Sequence, residues 1–176
     1  MKKNLKQKIQ KINILCTGGT IEMLYHEPSG SLQNTKGKIN HYLKLLRLPY
    51  LRVDTTRLMN VDSRKITDAG RGKILTAVKQ TFKKLAPVII THGTDTMVQT
   101  GLFLKKNLKN LKVPVILTGA MTPLGFEGTD GLQNLTESLL AARLLSPGVY
   151  IVIHNQVFPA DRTIKDKPNA RFVWKD

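Results

Sequence analysis

Short apolar runs rich in β-branched residues recur along the chain, each followed by a polar turn carrying glycine, threonine or serine. They lie near residues 12–16, 51–54, 87–91, 113–118 and 149–153. Apolar residues at successive positions predict strands buried on both faces, the pattern of a parallel sheet. Between these runs the spacing becomes helical. Ile39, Tyr42, Leu43, Leu45 and Leu46 share one face of a helix predicted over 37–47, which Pro49 ends. Further helices are predicted over 68–84, 95–107 and 129–145. Strands alternating with helices predict an α/β fold with a mainly parallel sheet and helices on both faces, a Rossmann-like sandwich. Residues 22–33 break the alternation. There Met23-Leu24-Tyr25 and Ser31-Leu32-Gln33 flank a stretch of turn composition, which predicts a mobile β-hairpin flap. Beyond residue 153 the pattern fades, and residues 154–165 read as an irregular polar segment.

The polar residues at the strand ends are the candidates for chemistry, because open α/β sheets bind ligands at the carboxyl ends of their strands. Thr91-His92-Gly93-Thr94-Asp95-Thr96-Met97 stands where a strand gives way to a helix. Thr94, Asp95 and Thr96 either cap that helix or form part of a site, and one of them would suffice as a cap. Thr17-Gly18-Gly19-Thr20-Ile21 follows the first strand. It is neither a dinucleotide fingerprint nor a P-loop, and reads as a threonine-capped turn or a close approach to a ligand. Asp62-Ser63 follows the second strand, where a serine hydroxyl can cap a helix as readily as meet a ligand. Gly119-Ala120 follows a later one, its small residues leaving room for a substrate. Asp130 reads as a helix cap and Asn134 as a buried polar tie. His92 and His154 lack further ligands at the spacing a metal requires.

Composition narrows the class. The 176 residues suit one domain: a lysine-rich tail over 1–11, then a single α/β domain over 12–176. The tail lacks the apolar region of a secretory signal, and no run approaches the roughly 20 apolar residues of a membrane span. Cys16 is the single cysteine, so a reducing cytoplasm is expected. The net charge of +16 raises the question of a nucleic-acid partner. The basic residues are scattered and aromatics make up only 6%, so no base-stacking platform is visible and the charge reads as solvated helix faces.

Taken together, Thr17-Gly18-Gly19-Thr20-Ile21 and His92-Gly93-Thr94-Asp95-Thr96-Met97 resemble the two signatures of the L-asparaginase/glutaminase family. The resemblance extends over nearly the whole chain and is closest to the short, single-domain asparaginase-like proteins, equivalent to the N-terminal domain of full-length members. It implies hydrolysis of the side-chain amide of asparagine or a related small amide to a carboxylate and ammonia, with no metal or cofactor, in a homodimer. Thr20 then matches the acylated nucleophile. Thr94 matches a second threonine, backed by Asp95 and by Lys165, with Lys167 the competing lysine. Ser63, beside Asp62, matches the group that holds the substrate carboxylate. Asp95 also matches a partner for the substrate ammonium, and Ala120 lies in a turn that lines the floor. Backbone N–H groups near Gly19, Thr94 or Ala120 are the candidate oxyanion donors. The family's flap tyrosine has only Tyr25 as a counterpart, placed early and readable as a packing residue. That displacement and the missing C-terminal domain motivate an alternative: an amino-acid-binding or regulatory protein with weak or lost catalysis. The charge motivates a third reading, an amidotransferase-like partner acting on charged tRNA.

Overall fold

The computed structural model describes residues 9–34, 37–82 and 85–176. In chain order these residues form β1 (Gln10–Gly18), a hairpin of β2 (Met23–His26) and β3 (Ser31–Asn34), α1 (Ile39–Leu45), β4 (Leu51–Val61), α2 (Asp68–Phe82) and β5 (Val88–Thr91). There follow α3 (Met97–Asn107), β6 (Val115–Thr118), α4 (Gly131–Leu144), β7 (Val149–Ile153), β8 (Gln156–Pro159), β9 (Thr163–Asp166) and β10 (Arg171–Trp174). The main sheet has the order β4-β1-β5-β6-β7-β8. Its first five strands are parallel, and β8 runs antiparallel on β7. No helix among the described residues is long and apolar enough to cross a membrane.

Alternate residues of each central strand enter opposite cores, which is why the strand sequences are apolar at successive positions. Ile12, Ile14, Cys16, Ile89, Ile116 and Val152 pack with Ile39 of α1 and Leu135 and Leu139 of α4. Leu15, Val88, Ile90, Leu117 and Ile151 pack with Ile74 and Val78 of α2 and Met97 and Leu104 of α3. Most of these side chains are completely buried. Each contributes roughly 1.5–3 kcal/mol relative to exposure.

Several elements differ from the sequence reading. β1 begins at Gln10, inside the stretch assigned to a tail, and the rest of that tail lies mostly outside the described residues. The same holds for Lys83 and Lys84, expected to end the second helix. β4 is one strand of 11 residues at the sheet edge, where polar residues are tolerated and mask its length. Residues 154–165 are not irregular. His154 and Asn155, both at positive φ (51° and 58°), make the tight turn that folds β8 back on β7. β9 then pairs with β10 in a separate hairpin, pinned by Phe172 in the core.

Asp130 is not a cap. It occupies the N-cap position of α4 without a side-chain cap bond. Its carboxylate instead accepts from the N–H of Met121 (3.0 Å) and Thr122 (2.9 Å), and pairs with His154 Nε2 at 2.8 Å. Burial raises the Asp130 carboxyl, yet these donors hold it below its ordinary value. Asn134 is the buried tie the sequence suggests, donating to Gly119 O (2.9 Å) and accepting from His154 N (2.8 Å).

Candidate active site

From β1 the chain moves outward to β4, then returns across β1 to β5. α1 covers one face of the sheet and α3 the other, so the connections leaving β1 and β5 part in opposite directions. A crevice opens at such a reversal point, outside the carboxyl ends of the strands. The turns that carry Thr20 and Thr94 stand on its two sides.

Glycine brings these turns into backbone contact. Gly19 has φ +79°, and a Cβ there would overlap the backbone of Gly93. Gly93 in turn lies against Ser63, whose Oγ would stand 2.5 Å from a Cβ on Gly93. The ends of β1 and β5 therefore meet backbone to backbone, and the turn after β4 joins them through the Ser63 side chain. Thr96 Oγ1 donates to Ser63 O at 2.9 Å, which closes the same junction from the α3 side. Thr96 is the N-cap of α3 yet makes no side-chain cap bond, so capping does not account for the polar crowd at 94–96.

Lys165 completes the group. β9 delivers it from the C-terminal hairpin, and its Nζ donates to Thr94 Oγ1 at 2.7 Å and to Asp95 Oδ1 at 2.6 Å. Thr94 is 6% exposed, and the Lys165 side chain 12% exposed, so the hydroxyl–amine pair is largely shielded from water. Low local dielectric strengthens such hydrogen bonds. The Asp95 carboxylate is more open, and its Oδ2 stands 3.7 Å from Arg64 Nε.

His92 sets the shape of this turn. Its Nδ1 lies 2.8 Å from Gly93 O and its Nε2 lies 2.9 Å from Thr100 Oγ1. A neutral ring protonated on Nδ1 satisfies both, donating to the carbonyl and accepting from the hydroxyl. Burial lowers the His92 pKa to about 4 from an ordinary 6.5. The folded state therefore declines a proton that the unfolded chain accepts. The stability at stake is fully present above the unfolded value and is lost as pH falls through the folded one. Between about pH 6.5 and pH 4 the protein is expected to lose up to roughly 3 kcal/mol through this group. Urea unfolding of His92→Gln, which keeps a neutral donor and acceptor, should show a shallower acid slope than the wild type; parallel slopes would refute the assignment.

The remaining sequence candidates fall into distinct surroundings. Thr20 opens a 3-10 turn over Thr20–Glu22 and is partly exposed at the crevice. Ser63 is 2% exposed, at the junction with Gly93. Asp62 is engaged locally: it accepts from Arg64 N at 2.9 Å and is gripped by the Arg64 guanidinium, which holds its carboxyl below the ordinary value. Ala120 is completely buried in the α1/α4 core, so it does not line an open floor as the sequence suggested. Its turn looks inward because Asn134 and Asp130 draw in Gly119 and Met121. Tyr25 is 58% exposed on the hairpin opposite Leu32, so it is not a packing residue. The N–H of Gly19 donates to Val61 O at 3.0 Å and is not a free oxyanion donor. Sequence reasoning overlooked Arg64 and Glu22. The carboxylate of Asp62 two positions before it was the signal that could have marked Arg64; nothing in the pattern marked Glu22 as buried.

The family described as Asparaginase, N-terminal matches residues 11–172. The chain belongs to the asparaginase family. An L-asparaginase of Thermococcus kodakarensis is 30% identical over 155 residues, which span 88% of this chain and 47% of that protein. The solved structure of the thermostable L-asparaginase from Thermococcus kodakarensis superposes with a TM-score of 0.85 at 29% identity, covering 94% of this chain and 51% of its own. A component of the glutamyl-tRNA(Gln) amidotransferase of Saccharolobus solfataricus is 26% identical over 190 residues, covering 94% of this chain and 43% of that protein. This asparaginase-family chain thus spans about half the length of the relatives it matches.

Proposed function

We propose that the chain is an asparaginase-type amidohydrolase that converts the side-chain amide of asparagine, or of a related small amide, to a carboxylate and ammonia. The observation that carries this reading is Lys165 Nζ bonded to both Thr94 Oγ1 and Asp95 Oδ1 across 71 and 70 residues of chain. Thr20 attacks the amide carbonyl from the facing turn and forms an acyl ester. The C–N bond breaks, and ammonia leaves with a proton relayed from the threonine hydroxyl. Water then attacks the ester carbonyl and passes a proton by way of Thr94 Oγ1 to the Lys165 amine; as the C–O bond to Thr20 breaks, that proton is handed on to the departing Thr20 oxygen, which restores its hydroxyl. Asp95 carries charge that balances Lys165 and faces the substrate ammonium; Ser63 holds the carboxylate. The Thr94 turn supplies the oxyanion donor in this reading, because Gly19 N–H is already committed to Val61 O.

The test is ammonia release from asparagine, glutamine and small amides by the wild type and by Thr20→Ala. Turnover by the wild type and its loss in the variant are expected. Undiminished turnover in Thr20→Ala would end the nucleophile assignment. A second reading, amino-acid binding with weak catalysis, draws support from the exposure of Tyr25 away from any core and from the crowding of Asp95 by Lys165 and Arg64. Stoichiometric aspartate binding by calorimetry without turnover of any amide would favour it.

A further inference from the structure

Behind the Thr20 turn lies a buried carboxylate that the proposed chemistry does not use. Glu22 closes the 3-10 turn that Thr20 opens, and β2 of the flap hairpin begins at the next residue. It is 1% exposed. Its Oε1 accepts from Thr91 Oγ1 at 2.6 Å, and Thr91 O accepts from Thr17 Oγ1 at 2.6 Å. Its Oε2 stands 3.3 Å from Arg57 Nη1 and has no hydrogen-bond partner among the described residues. Two strands thus reach this side chain directly, β5 through Thr91 and β4 through Arg57, while Thr17 at the end of β1 bonds to the Thr91 carbonyl and so joins at one remove. Beyond Glu22 the Thr20 turn is held by backbone bonds and packing: Gly19 N–H donates to Val61 O (3.0 Å), Leu124 N–H donates to Ile21 O (3.4 Å), and Ile21 is buried in the core. Gly19 provides no side-chain cap, and the turn's own backbone bonds are Glu22 N to Gly19 O (3.0 Å) and Met23 N to Thr20 O.

We propose that Glu22 is a positioning residue, whose carboxylate pins the Thr20 turn and the root of the flap hairpin to Thr91 at the end of β5 and to Arg57 of β4. The inference rests on the amidohydrolase reading for its catalytic consequence, but the pinning itself does not. A purely space-filling role would not need an acid there. A buried carboxylate oxygen without a hydrogen bond costs stability that a neutral side chain would spare. Burial raises the Glu22 carboxyl, while Thr91 and Arg57 pull it back down. Cys16 faces the same carboxylate from β1; its thiol is pushed up to about 12 by burial and by Glu22, so it stays a neutral neighbour. Arg57 and Cys16 are the titratable groups that Glu22 meets from the adjoining strands.

Glu22→Gln keeps the shape and the bond from Thr91 but removes the charge that meets Arg57. It is expected to lower kcat about tenfold while KM stays within about twofold and the urea midpoint changes little. Combining it with Arg57→Met should add little further loss, because the pair acts as a unit. Hydrogen-exchange mass spectrometry supplies a readout independent of turnover: protection across residues 19–26 should fall about tenfold in Glu22→Gln, with the β6 and β7 amides unchanged. Unaltered protection overturns the inference whether or not the wild type hydrolyses an amide. Lost protection in Glu22→Gln, beside a wild type that hydrolyses nothing, would instead leave the pin intact and remove the amidohydrolase reading. Wild-type kcat in Glu22→Gln despite lost protection also overturns the positioning role.

Discussion

Lys165→Met should lower kcat about a thousandfold while leaving KM within about threefold and the fold intact. Methionine fills the same channel but can neither donate to Thr94 Oγ1 nor balance Asp95, the two contacts that Lys165 makes at 2.7 and 2.6 Å. Thr94→Val removes the other end of the first contact and should cost about as much. The two changes together should cost little more than either alone, since residues that move one proton as a unit are not additive. Stability should change by about 1 kcal/mol or less, because Asp95 is open enough to be hydrated once its partner is gone. Steady-state kinetics with matched urea titrations checks both halves of the statement. Multiplying losses, or a Lys165→Met enzyme retaining most of its turnover, would show that Thr94 and Lys165 act separately.

Gly19→Ala should destabilise the protein by about 3–5 kcal/mol, enough to leave little of it folded if its margin is ordinary. Two costs combine. At φ +79° a Cβ is strained, and the space it would enter is the backbone of Gly93, which has no flexible end to move aside. Gly93→Ala should be milder, because its φ is not left-handed and the nearest atom is the Ser63 hydroxyl, with the Ser63 backbone N farther off at 3.1 Å. Thermal and urea denaturation rank the two. A Gly19→Ala protein of wild-type stability would mean that the two turns do not touch as described.

The parts of the fold that were legible in sequence are those covered on both faces. Ile89 and Ile90, or Ile116 and Leu117, are consecutive and both apolar because each faces its own core. Elements at an edge lose that signature. β4 carries Arg52, Asp54 and Arg57 along its length, and β9 and β10 bury little beyond Thr163 and Phe172. The site divides in the same way. The threonine turns stood out because they lie at strand ends and one of them crowds three cap-type residues where a single one would suffice, and resemblance linked them. Lys165 had no local mark: a lysine on a polar hairpin looks like any solvated lysine until the chain's return places it beside Thr94. Ala120 misled for the opposite reason, since a small residue after a strand suits an open floor and a tight core equally. Asp130 looked like a cap because it occupies a cap position, although its carboxylate is spent on the preceding loop.

The return of β9 across the sheet has a consequence for synthesis. Thr20 leaves the ribosome early, whereas the amine that serves Thr94 arrives 71 residues after Thr94 itself. Its strand, β9, is paired with β10, whose Phe172 anchors the hairpin in the core. A nascent chain that stops short of this hairpin has both threonines and no lysine between them and solvent. Under the proposed mechanism, a chain that ends before this hairpin is therefore inert, because it lacks the amine that serves Thr94.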